Sequence, residues 1–302
     1  MEGGRDSNSG LDLAPAQSAG AMGTLPSFST MLTARREGIQ WLEPQCGPDF
    51  LSLRSTKPHG RIAVVAHVYY PELWPELSAS ISNIEEPFDL FVTLVAGQSD
   101  ALARTILAER PSAQLVVVEN LGRDILPFFS IVRTGVLFRY EFVCKLHTKR
   151  SEWHADGETW RKELVSGILG SRRRVRLILS AFRSEPELGM VVADGHMYAG
   201  RELWEGNREH LKRFFAYLGM DDTEFRRAFA GGSIFWIRPA VLQLISELPF
   251  RSDDFEPEPL GKDGHLVHAI ERLISLACYE LDMTIRQTKE IMPPELPKGT
   301  SL

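Results

Sequence analysis

Lys145, His147 and Lys149 fall at alternate positions where an apolar run, Phe142 to Leu146, gives way to cationic and polar residues. Side chains two apart on a strand share a face, so while strand geometry lasts all three point toward one ligand. An anion is the natural partner of such a set, and a phosphate is the simplest one. A second set, Gly122-Arg123-Asp124, lies between the apolar run Leu115 to Val118 and a helical pattern that begins at Leu126. Gly122 permits close backbone approach and Arg123 forks onto phosphate, while the helix start behind them offers N–H groups and a positive dipole end. The bland readings stand beside these. Asp124 also suits a helix N-cap with Pro127 in the first turn, and Lys149 and Arg150 also suit solvated loop charges around a structural His147.

Such residues need a scaffold, and the chain supplies one by alternating apolar runs with helical patterns. Strands are expected at Ile62 to Val68, Phe88 to Val95, Leu115 to Val118 and Phe142 to Leu146, with helices at Glu72 to Ile84, Asp100 to Glu109 and Leu126 to Leu137 between them. Continuous apolar strands separated by helices mean βαβ units, hence an α/β fold with a mostly parallel, Rossmann-like sheet covered by helices on both faces. In such sheets ligands bind outside the carboxyl ends of the strands, where both chemical sets fall. The second half is less regular. Helices are expected at Glu158 to Leu169, Arg172 to Arg183, Glu209 to Leu218 and His265 to Tyr279, and strands at Leu188 to Val192 and Ser233 to Ile237.

The chain of 302 residues is 43% hydrophobic and 25% charged, the balance of a soluble globular protein. Its net charge of -6 argues against a nucleic-acid partner, which calls for a basic field. Three scattered cysteines, Cys46, Cys144 and Cys278, match neither zinc spacing nor a disulfide framework, so they read as buried thiols in a reducing compartment. No apolar run approaches the length of a membrane span, and the polar N-terminus lacks a signal-peptide pattern. A cytoplasmic protein is expected, in peripheral contact at most with the inner membrane.

In order along the chain, H-V-Y-Y-P at His67, F-D-L-F-V-T at Phe88, N-L-G-R-D-I-L-P-F at Asn120, K-L-H-T-K-R-S at Lys145, W-R at Trp160, G-G-S-I-F-W-I-R at Gly231 and D-G-H-L-V-H-A-I-E-R at Asp263 resemble the rhamnan synthesis protein F family of bacterial polysaccharide and lipopolysaccharide biosynthesis. The resemblance spans roughly residues 60 to 285. It implies a GT-A-like glycosyltransferase with a nucleotide-sugar donor, rhamnose being the candidate sugar, and a glycan or lipid-linked glycan acceptor. In many GT-A enzymes the strand matching Phe142 to Leu146 ends in an Asp-x-Asp pair that holds a divalent ion. Here the slot reads His147-Thr148-Lys149, so no metal ligand is assigned, Mg2+ or Mn2+ is left as a possible cofactor, and Lys145, His147 and Lys149 are expected to supply the missing positive charge.

The resemblance also implies roles elsewhere. Gly122, Arg123 and Asp124 would line the donor's nucleoside and diphosphate pocket. Gly231 and Gly232 would let backbone approach a sugar, with Trp236 stacking on the ring or lying in the core. Asp263 is the candidate base for the acceptor hydroxyl, with an N-cap as its other reading, and Glu256 and Glu258 are weaker alternatives. His268 and Glu271, three apart on one helix face, are acceptor contacts or buried structural groups. Asp194-Gly195-His196 reads as a polar loop more than as a metal site. The run Arg172, Arg173, Arg174 and Arg176 is a candidate patch for lipid phosphate, although a solvated face is the default reading of a charge run. Residues 1–58 are expected as a disordered tail with a short helix at Ser29 to Leu42, residues 59–290 as the GT-A-like domain and 291–302 as a C-terminal tail.

Overall fold

Seven strands form one sheet in the order β3-β2-β1-β4-β8-β5-β9 in the computed structural model, which describes residues 48–97, 99–148, 157–221 and 227–292. The described residues belong to one compact unit, 42–302. The strands are β1 (Ile62–Val68), β2 (Phe88–Val95), β3 (Gln114–Val118), β4 (Phe142–His147), β5 (Leu188–Val192), β8 (Phe235–Ile237) and β9 (Thr284–Gln287), while β6 (Met197–Tyr198) and β7 (Phe229–Ala230) pair separately. The expected helix-tail division shifts at the front. Residues 48–55, placed in the tail by sequence, form α1 (Pro48–Ser52) and a 3-10 turn that buries Leu53. The helix expected at Ser29 to Leu42 lies outside the described residues.

The α/β expectation holds. Within the seven-stranded sheet all pairings are parallel except those of β8, which runs antiparallel to both β4 and β5. The remaining helices are α2 (Trp74–Ile81), α3 (Ser99–Glu109), α4 (Ile125–Arg133), α5 (Gly157–Leu169), α6 (Arg172–Ser184), α7 (Glu202–Glu205), α8 (Arg208–Leu218), α9 (Pro239–Ile245) and α10 (Leu266–Glu280). The helical pattern read from Leu126 to Leu137 stops at Arg133, because Gly135 takes a left-handed φ of 78° and starts a 3-10 turn.

Period two along β1 decides what lies where. Ile62, Val64, Ala66 and Val68 join the core on one face, with Cys144 of β4, Trp236 of β8 and side chains of α2, α3, α5 and α6. Val65 and His67 take the other face, in register with Lys145 and His147 of β4. That face packs under α4, where Phe128 meets Phe235 edge to face at 6.2 Å. β2 and β3 extend the sheet to one side of β1 and β4 lies on its other side. A right-handed crossover therefore places α4 on the face opposite α2 and α3. The strand order reverses between β1 and β4, and their carboxyl ends mark the switch point at which open α/β sheets bind ligands.

Candidate functional site

A cleft of about 480 Å³ opens at the switch point. Its first wall carries His67, Tyr69, Tyr70, Asn120, Arg123, Asp124 and His147. The facing residues come from the second half of the chain and include Trp160, Tyr198, Gly231, Gly232, Glu258, Lys262, Asp263, His268, Glu271 and Arg272. The ends of the two strands are joined by Thr148, whose buried Oγ1 accepts from the backbone N–H groups of Tyr69 and Tyr70 at 3.0 Å each.

Lys145 is not a free cation. It is 1% exposed and donates to Asp124 Oδ2 at 2.6 Å, Ser233 Oγ at 2.7 Å and Ser233 O at 2.9 Å. An ammonium has three donors, and these acceptors take all of them. The expectation that Lys145 grips a diphosphate is therefore corrected: it links two turns. Both turns are conformationally unusual, with Gly122 and Arg123 at φ 64° and 54° and Gly232 and Ser233 at φ 92° and 54°. Positive φ at Arg123 and Ser233 is strained for residues with a Cβ and persists only where surroundings enforce it. Lys145 provides that enforcement, because Asp124 follows the first turn and Ser233 ends the second.

The second turn is held from two further sides. His147, 2% exposed, donates from Nε2 to Gly232 O at 2.8 Å, and the Gly232 N–H donates to Glu271 Oε1 at 2.8 Å. His147 and Glu271, expected as ligand contacts, thus have backbone partners in the turn while lining the cleft. Lys149 lies outside the described residues. Asp124 does not cap α4 with its side chain; its carboxylate faces Lys145 instead.

Arg123 also departs from the phosphate-fork expectation. It lies against His268 Nε2 at 3.0 Å, the Leu260 and Gly261 carbonyls at 3.2 Å each, and Glu258 at 3.6 Å. The guanidinium thereby fastens the 258–268 wall to the first turn. Because arginine only donates, His268 Nε2 accepts, while Nδ1 receives the His265 N–H at 3.3 Å and lies 3.7 Å from Asp263 Oδ1.

Asp263 is 39% exposed and accepts from Asn207 Nδ2 at 2.8 Å and from Arg272 Nη2 at 3.2 Å on Oδ1 and 3.1 Å on Oδ2. It is not the N-cap of α10, which is His265; Glu256 receives the Leu266 N–H there. The carboxylate is therefore a cleft group held in place by two neighbours.

Of the two readings of Trp236, the structure gives the core one and not the stacking one. It is fully buried and paired with Cys144 on the opposite face of the sheet, where its Nε1 reaches Ile168 O at 3.4 Å. No sugar reaches it there. The aromatic rings at the cleft are those of Tyr69, Tyr70, Trp160, Tyr198 and Phe229. In the arginine patch on α6, Arg172 and Arg176 share Glu85 at 3.6 and 3.4 Å, and Arg174 donates to Ser166 O at 2.5 Å. Asp194 accepts the Lys289 N–H at 2.6 Å, a structural role.

Sequence reasoning passed over His67. It is 5% exposed, lines the cleft and sits beside His147 in register, with Nδ1 2.9 Å from Thr93 Oγ1. Burial lowers its pKa to about 4; Asp124 opposes that shift, and His147 and Lys145 add to it. Its signal was a polar residue inside an apolar strand, one position before the strand's end. Among the described residues no three His, Cys, Asp or Glu side chains converge as a metal site.

An open α/β sheet with a polar and aromatic cleft at its switch point defines a fold of the doubly wound type. The chain belongs to the Rhamnan synthesis protein F family, which matches it over residues 50–283. It is similar to the uncharacterized protein WxcX of Xanthomonas campestris pv. campestris, in strains B100 and ATCC 33913, at 32% identity over 214 residues. That match covers 71% of this chain and 31% of each relative, so the chain spans about a third of the length of those curated relatives. Among solved structures, S. aureus TarS 1-349 aligns with TM-score 0.39 and 14% identity over 75% of this chain and 58% of that one. No described helix is long and apolar enough to cross a membrane.

Proposed function

We propose that the chain is a GT-A-like glycosyltransferase domain that moves a sugar, rhamnose by the family's name, from a nucleotide diphosphate to a growing cell-surface polysaccharide or lipopolysaccharide glycan. The observation that carries this reading is the cleft at the β1–β4 switch point, in a chain of this family, with the Asp263 carboxylate on its second wall. Asp263 takes the acceptor hydroxyl's proton as the hydroxyl attacks the anomeric carbon. Arg272 and Asn207 hold the carboxylate in place, and its remaining exposure faces the cleft. Asp124 and the Gly122 turn border the nucleoside, and the Gly231-Gly232 turn borders the sugar. No step is assigned to a divalent ion. A cytoplasmic site of action, at the inner face of the membrane where lipid-linked acceptors are extended, belongs to the same proposal.

A second reading, a non-catalytic nucleotide-sugar or glycan binding module of an assembly complex, is favoured by one observation. Lys145 is fully engaged inside the protein, where a diphosphate site would want a cation. Incubating the purified chain with a panel of nucleotide sugars that includes dTDP-rhamnose, with EDTA or with Mn2+, separates the two. Released nucleoside diphosphate supports the transferase; binding without release supports the module.

A further inference from the structure

Three cationic side chains line the cleft among the described residues: Arg123, Lys262 and Arg272. Arg123 is engaged with His268, Glu258 and two carbonyls, and Arg272 with the Leu203 and His268 carbonyls and with Asp263. Lys262 is different. It is exposed on the 258–263 wall and makes no hydrogen bond or ion pair with the described residues. Its flexible stem carries a point charge that can follow a mobile anion.

His67 is the complement of Lys262. It is nine-tenths buried at the end of β1, and the Thr93 hydroxyl takes Nδ1, which leaves Nε2 as the ring nitrogen for a ligand. Burial keeps the imidazole uncharged at neutral pH. Tyr69 and Tyr70 follow it directly and line the same wall, so flat rings stand next to a neutral hydrogen-bonding group. That combination suits a nucleobase, which offers a stacking face and uncharged polar edges. It does not suit a phosphate.

Building on the donor reading above, we propose that the cleft is divided by charge: His67 meets the uncharged edge of the donor's nucleoside, and Lys262 meets its phosphates. The negative charge of the donor is then met from the 258–263 wall, away from the end of β4, where Lys145 is closed to it.

Binding of UDP, GDP and dTDP, and of the three matching nucleosides, to the full chain by calorimetry and ligand-observed NMR tests this. His67→Asn places an amide near Nδ1 and removes Nε2, while His67→Gln keeps a polar atom near Nε2. The Asn variant should weaken the bound diphosphate and its nucleoside alike, by about fivefold, and the Gln variant should restore much of that. Lys262→Met should weaken the diphosphate by about fivefold and leave the nucleoside unchanged, with an effect that shrinks as salt rises and a rescue by Lys262→Arg. A loss confined to the diphosphate in His67→Asn, or no loss in Lys262→Met, overturns the division while leaving the donor reading intact. Failure of the wild-type chain to bind any of the six overturns both.

Discussion

Lys145 and Asp124 form a buried ion pair, Nζ to Oδ2 at 2.6 Å, that joins the middle of the sheet to the turn before α4. Both side chains are almost completely shielded, at 1% and 6% exposure. Taking two charges out of water is costly, so the pair persists because Ser233 satisfies the ammonium's other donors. Its product is a fixed separation between two left-handed turns.

Replacing Lys145 with Met should strand Asp124 as a buried carboxylate with no counter-charge. A loss of about 3–5 kcal/mol is expected, read as a lower urea midpoint. Adding Asp124→Asn should recover part of it. A Lys145→Met protein as stable as wild type would show that the pair holds nothing.

His67 sets an acid limit on stability. Its folded pKa, about 4, lies below the ordinary value of 6.5, so the unfolded chain takes up this proton first as pH falls. The contribution is fully present above pH 6.5 and is lost progressively toward pH 4, by about 1.4 kcal/mol for each unit of displacement, roughly 3 kcal/mol in all. Urea denaturation from pH 7.5 to 4 should show a shallower decline in His67→Asn than in wild type. Parallel declines would refute the assignment.

Asp263→Asn keeps the side chain's shape and removes its basicity. Turnover should fall by about 100-fold or more, with nucleoside diphosphate affinity within about twofold of wild type, as expected for a base that acts only in the proton-transfer step. Equal turnover would move the base elsewhere, with Glu258 next in line on the same wall.

Gly232→Ala meets two obstacles. The residue has φ of 92°, and a Cβ there would stand 2.5 Å from Leu164 Cδ1 and 2.9 Å from the Trp160 ring. A cost of about 1–3 kcal/mol is expected from the backbone alone, and the displaced Trp160 should weaken ligand binding. Circular dichroism melts and calorimetry on the same sample separate the two effects.

The sequence revealed the strands and the cations for the same reason: both follow from short-range pattern. Alternation placed Lys145 and His147 on one face before any fold was known, and the structure agrees. What alternation does not carry is the identity of the group opposite. The acceptors of Lys145 lie 21 and 88 residues away, one of them a backbone carbonyl, and a lysine near a strand end has the same sequence whether it faces a ligand or its own chain. Trp236 was ambiguous for a related reason, since its face depends on pairing with Cys144 across an antiparallel strand of only three residues. β9, four residues without strong periodicity, left no usable signal. His67 was hidden by the apolar run around it, which says strand and nothing about which residue ends at a cleft.

The Thr148 hydroxyl takes the Tyr69 and Tyr70 N–H groups and so ties the chain leaving β1 to the end of β4. Those two amides lie just beyond β1, where loop amides ordinarily exchange with solvent quickly, yet both are tied to a fully buried acceptor. The entrance should therefore behave as part of the sheet on the timescale of hydrogen exchange, with Tyr69 and Tyr70 as slow as the strand that precedes them. A ligand would then enter an opening of preset width, and selection by size would happen before any contact with the groups inside.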